Sequence, residues 1–193
     1  MYTISKKFVE HLIIQNLLSA DKFDIYIYSL HKRLFSFLCQ LTLIITGCIF
    51  FNVIEVILFS FIFKYLRSYT GGYHARTELL CFILSNLTLI FGLIIASAIK
   101  EHYLFLSILD ILSVFIIILF SPVNHPNLKL TQIEMYAMQS VVHKRLIITV
   151  SLILILDIIK YENYSTIASI ALIFTAISII LTKIIYPEVR YEK

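Results

Sequence analysis

Apolar residues in this chain fall into long unbroken runs, with the polar residues collected between them. The runs cover residues 34–66, 79–99, 104–120, 146–159 and 167–185. Such runs, lacking the period-two alternation of a half-buried strand, predict helices that cross a hydrocarbon layer roughly 30 Å thick. The first run is too long for one crossing, since as a single helix it would measure roughly 50 Å. Gly47, Asn52 and the charged Glu55 interrupt it, so it reads as a hairpin of two short spans joined near Gly47–Asn52. Ahead of it, Val9, Leu12, Ile13 and Leu17 recur at helical spacing, with Lys6, Lys7, Glu10 and Gln15 elsewhere. Phe23, Ile27, Leu30 and Leu34 share a second face. Residues 1–33 are therefore expected to form amphipathic helices, either lying on the cytoplasmic membrane surface or packed against the bundle.

Charge placement decides how many spans to expect. With six spans and both termini cytoplasmic, every basic residue except Lys100 and Lys160 falls on the inner side; five spans would put most of them outside. The excess of Lys and Arg in cytoplasmic segments favours six. The expected fold class is thus an all-α, polytopic membrane bundle, with residues 1–33 at the interface and residues 34–193 forming the six-span domain. Tyr161, Tyr164 and Tyr186, near the span ends, suit an interfacial aromatic belt.

Composition points the same way. Of the 193 residues, 60% are apolar and only 15% charged, with a mean hydropathy of +0.91. Soluble domains run nearer ~45–50% and ~25%, and a water-soluble globule could not cover such a chain with polar groups. The net charge of +4 is spread over several hydrophilic patches, so it reads as topology control and not as a nucleic-acid footprint. Three cysteines make no secreted disulfide framework. Cys39 and Cys48 lie in apolar runs, as small hydrophobes do. No secretory signal is recognisable in residues 1–33, and neither a metal set nor a cofactor is expected.

Chemistry concentrates in one polar segment, residues 64–81, between the hairpin and the next span. It holds two adjacent glycines, Gly71-Gly72, then His74 and, seven residues later, Cys81. On a continuous helix that spacing leaves two side chains on one face but roughly 10 Å apart. Contact between them requires His74 to lie in a loop that doubles back, which Gly71-Gly72 permits. Thr77 followed by Glu78 predicts a helix start, with Thr77 as N-cap and Glu78 set against the helix dipole. Cys81 would then sit at or just past a helix N-terminus, where the dipole and a nearby imidazolium favour the thiolate. In that arrangement His74 takes and returns a proton, while Arg67 and Arg76 add positive potential. Backbone N–H groups of the glycine turn can face an oxyanion. On spacing alone, an inert structural pair fits the same residues.

At this segment the chain resembles AgrB, a family of membrane cysteine endopeptidases that mature quorum-sensing peptides. The resemblance lies in Arg67, Gly71-Gly72-Tyr73-His74-Ala75 and Cys81, including the seven-residue spacing from His to Cys. It continues in Ser121-Pro122-Val123-Asn124-His125-Pro126-Asn127, similar to the family's loop after the fourth span, where Asp often replaces Asn124. The resemblance implies that His74 and Cys81 are the catalytic pair and that Arg67 and Gly72 are needed for activity. It further implies a homodimer in a bacterial cell membrane and a short AgrD-like propeptide substrate with an amphipathic start and an acidic tail. Cleavage of the tail through a Cys81 acyl-thioester would be followed by cyclisation to a thiolactone or lactone. Ser68 departs from the second Arg found in many members, which puts binding of an acidic tail in question.

Other residues carry two readings. Glu78 could orient His74 or simply cap its helix. Asn124 and His125, in a turn bounded by Pro122 and Pro126, could line the site or recognise peptide, as could Arg76. Glu55 reads as interfacial, while Asp110, in mid-span, either serves a pathway or pairs with a polar neighbour. Against the peptidase stands a non-enzymatic membrane protein, such as a transporter subunit or sensor partner, with an inert His/Cys pair. A further alternative keeps the protease but gives it another secreted peptide.

Overall fold

The computed structural model describes residues 2–15, 17–72, 77–99, 102–123 and 132–186. Among them are seven α-helices: α1 (Tyr2–Ile14), α2 (Phe23–Phe50), α3 (Val53–Thr70), α4 (Glu78–Ile99), α5 (Tyr103–Phe120), α6 (Gln132–Ile158) and α7 (Glu162–Ile185). A single 3-10 turn, Ala20–Lys22, precedes α2, and the described residues contain no strand. The chain divides into two compact units at residues 46/47.

In the first unit α2 runs unbroken through Lys32 and Arg33. Both residues are strong helix formers, so the polar pair changes the helix surface without ending the helix. The Tyr2 ring meets His31 edge-on at 6.2 Å, and Lys6 pairs with Glu10 at 3.9 Å across one helical turn.

The interruption expected in the first apolar run falls at Phe51–Asn52. Asn52 adopts an extended conformation and its side chain accepts from the Ile54 N–H at 2.9 Å, an N-cap that starts α3. Just ahead of it, a Cβ on Gly47 would stand 2.8 Å from both Leu89 and Val56 side chains, so a larger residue there would have to displace them.

The second unit is organised around α7, which contacts α3, α4, α5 and α6. Its buried positions are largely small, including Ser165, Ala168, Ser169, Ala171, Thr175 and Ala176. Small residues let neighbouring backbones approach closely, which is how helices associate in an apolar solvent that offers no hydrophobic driving force. Larger side chains fill the space between: Phe59, Ile62 and Leu66 of α3, Leu89 and Leu93 of α4, Ile117 of α5.

Among the described residues, four helices are long and apolar enough to cross a membrane: α2, α5, α7 and, over Leu79–Ile99, α4. The chain is accordingly a membrane protein. α3 carries Glu55, Lys64 and Arg67, and the apolar half of α6 carries Lys144, Arg145 and Asp157, so composition alone does not mark these two.

Candidate functional site

At one end of the second unit, the C-termini of α3, α5 and α7 meet the N-terminus of α4. Thr77 starts α4 as expected: its Oγ1 accepts from the Leu80 N–H at 3.2 Å, and the Cys81 N–H makes the first full helical turn to Thr77 O at 3.0 Å. Cys81 therefore stands one turn into α4, half-buried, where the positive end of the helix dipole still acts on its sulfur. Ser85 Oγ donates to Cys81 O at 2.9 Å and stiffens that turn.

Arg67 lies one turn before the end of α3. Its guanidinium stands 5.5 Å from the Phe63 ring centre and interacts electrostatically with Cys81. Beyond Thr70 the chain leaves the helix through both glycines. Gly71 has φ 74° and Gly72 φ 144°, conformations that side chains rarely adopt. Space is short as well. A Cβ on Gly71 would stand 2.7 Å from Val123 O, and one on Gly72 would stand 2.6 Å from Ser178 Oγ and 3.4 Å from Arg67 Nε. Gly72 thus lies against both Arg67 of α3 and Ser178 of α7.

The segment after α5 docks on the same turn. The Val123 N–H donates to Thr70 O at 2.9 Å, and Ser121, Pro122 and Val123 are all buried, with a cis bond between Ser121 and Pro122. The two sequence segments singled out above are therefore adjacent in space. α6 supplies a further cation: Arg145 lies over the rings of Tyr65 (4.3 Å) and Tyr69 (4.0 Å), and donates to Tyr65 O and, at 2.6 Å, to Ser68 Oγ. The serine that departs from the family's second arginine is thus the partner of a guanidinium from another helix. Lys183 of α7 rests 4.0 Å from the Phe120 ring centre.

Arg67 and Cys81 share a cavity of about 190 Å³, walled also by Phe63, Ser85, Phe174 and Ser178. A cation, a thiol at a helix start and a desolvated wall suit stabilisation of a thiolate and of an oxyanion formed beside it.

Of the candidate site residues, the structure brings together Arg67, Gly71, Gly72 and Cys81. His74, Arg76, Asn124 and His125 lie outside the described residues, and so does the side chain of Glu78, the first residue of α4. Ser178 and Arg145 were not expected at the site. A neutral serine on a largely apolar helix and a lysine-arginine pair before a span carry no local signal, because both act across contacts distant in sequence.

Asp110 and Glu55 belong elsewhere. Asp110 accepts from Ser169 Oγ at 2.7 Å, and Glu55 accepts from Asn163 Nδ2 at 2.7 Å, toward the other end of the bundle. Asp110 has the polar neighbour that the plainer reading required.

The comparisons with known proteins fit this arrangement. The family model for accessory gene regulator B, AgrB, matches residues 3–180. No curated protein and no solved structure matches the chain. The matched stretch covers nearly all of the chain, including Arg67, both glycines, Cys81 and most of α7 with Ser178, and the chain belongs to the AgrB family.

Proposed function

We propose that the protein is a membrane-embedded cysteine endopeptidase of the accessory gene regulator autoinducer-processing system, the role that AgrB membership supports. The observation that carries the reading is that Cys81 and Arg67 line one cavity, with Gly72 close against Arg67 and Ser178 of its wall. The substrate is an AgrD-like propeptide with an acidic tail. Cys81 attacks the scissile carbonyl as a thiolate, His74 takes the thiol proton and returns it to the leaving amine, and the tail departs. Arg67 favours both the thiolate and the oxyanion. A Cys or Ser within the bound peptide then attacks the acyl-thioester, closing a thiolactone or lactone ring and restoring the Cys81 thiolate. Exchange of one thioester for another is nearly balanced, whereas hydrolysis is strongly downhill, so the walls of the cavity serve to keep water from the intermediate.

In this reading the chain crosses the membrane six times with both termini cytoplasmic, and residues 1–33 meet the lipid surface. The Cys81 end faces the cytoplasm, and the protein works as a homodimer. Glu78 supports the pair, and Arg76, Asn124 and His125 contact the peptide.

Coexpression with the propeptide, followed by mass spectrometry of the fragments, tests the assignment. Cys81→Ala is expected to abolish tail release and His74→Ala nearly so; normal processing by either overturns it. Alkylation near neutral pH separates the peptidase from an inert pair, since Cys81 should lose its reactivity when His74 is replaced.

A further inference from the structure

The cavity beside Cys81 reaches well past the thiol. It descends along α4 by way of Leu84, Ser85 and Thr88, which follow Cys81 by three, four and seven positions and so share its helix face. That stripe is roughly 10 Å deep. α7 offers a facing stripe with the same spacing, from Phe174 through Ile177 to Leu181. The floor is aromatic: Phe63 stacks on Phe59 at 5.9 Å, and Phe59 meets Phe174 edge-on at 6.1 Å. Phe59 is held in place, because it is only 1% exposed and a Cβ on Gly92 would stand 2.5 Å from its ring. The two hydroxyls on the α4 wall are already engaged, Ser85 Oγ with Cys81 O and Thr88 Oγ1 with Leu84 O at 2.8 Å. Arg67 is the one charged residue among those lining the cavity, and the remaining space suits one large apolar side chain.

We infer that this slot is a specificity pocket that receives an apolar side chain of the propeptide, that of the residue whose carbonyl Cys81 attacks. The inference rests on Cys81 being the nucleophile. In an acyl-thioester the side chain of that residue branches two bonds from the sulfur, so it must enter whatever space adjoins the thiol. Each buried methylene adds to binding in such a pocket, and an ill-fitting side chain is rejected by about tenfold or more. Leu84, Thr88, Phe174 and Ile177 set this selection and do not touch the reacting atoms.

Methanethiosulfonates carrying a methyl, butyl or benzyl group probe the slot without any peptide. The full chain in membranes is used, with Cys39 and Cys48 replaced by serine, and rates are normalised to those of glutathione. Butyl and benzyl reagents are expected to modify Cys81 about tenfold faster, relative to the methyl reagent, than they modify glutathione. Thr88→Phe and, separately, Ile177→Phe should cancel that preference while the methyl rate is retained, which reports an intact site. Membrane partitioning of the reagents is the same for all variants and drops out. A wild-type protein without the preference, or a preference that survives both fillings, overturns the slot. In coexpression, Thr88→Phe should shift processing from the native propeptide toward one carrying alanine at the acylated residue. Equal processing of both peptides by wild-type and variant overturns the proposed occupant. Loss of tail release in Cys81→Ala is measured independently, so the slot and the nucleophile can fail separately.

Discussion

At the end of the second unit that holds Cys81, cations rest on aromatic faces and backbone carbonyls; at the other end, carboxylates are bonded to hydroxyls and an amide. Arg145 is sandwiched over Tyr65 and Tyr69, and Lys183 covers Phe120. Opposite, Asn163 donates to Glu55, while Tyr103 donates to Glu162 and Ser169 to Asp110 around a cavity of about 260 Å³ that Asp157 also lines. Ring faces and carbonyls hold a guanidinium in position while leaving its positive field intact, whereas pairing with a carboxylate would cancel much of it. The first end is therefore suited to the negative reaction centre of the proposed mechanism. The second ties helices together.

The sharpest way to break this contrast is at Gly72. Gly72→Ala combines a strained φ with a clash against Ser178, and displacement of the Arg67 turn should lower tail release by roughly a hundredfold. Adding Ser178→Gly removes the clash but not the strain, so recovery should be partial. No loss in the single variant would mean that this close approach does not position the site.

A smaller effect is expected at Arg145. Arg145→Lys keeps the charge but loses the two-pronged donation to Tyr65 and Ser68, with the stacking on both rings weakened. Thermal unfolding in detergent should show a loss of about 2 kcal/mol, accompanied by slower tail release. The smallest effects belong to the other end. Asp110→Asn and Glu55→Gln retain hydrogen-bonding groups far from Cys81, and tail release should stay within about twofold of wild type. Loss of processing by either variant in a folded protein would erase the division between the ends.

Much of this architecture was legible in the chain before its structure. The helix start at Thr77 could be read because an N-cap is a local device, a short side chain bonded two or three residues ahead, and the break near Asn52 proved to be another such cap. The meeting of the two glycines with the segment at Ser121 was not legible, since the bond joining Val123 to Thr70 spans a whole helix pair. Hydropathy failed at helix boundaries. Lys32-Arg33 marks a change in the preferred solvent, but α2 passes through it, and α6 begins at Gln132, well before its apolar run. Solvent preference and helix propensity are separate properties, and the two part company wherever a helix continues beyond its apolar stretch. Arg145 and Ser178 were illegible for a different reason: each is defined by what it touches on another helix.

One consequence follows from the place of α7 in the order of synthesis. It is the common neighbour of α3, α4, α5 and α6, and it supplies both Ser178 beside Gly72 and one wall of the cavity. Those four helices emerge from the ribosome earlier and must wait, loosely associated, for the partner that draws them together. A nascent chain halted before α7 would carry the thiol, the arginine and the glycines without the cavity that α7 walls, so the activity proposed above should arise abruptly, with the insertion of a single late helix.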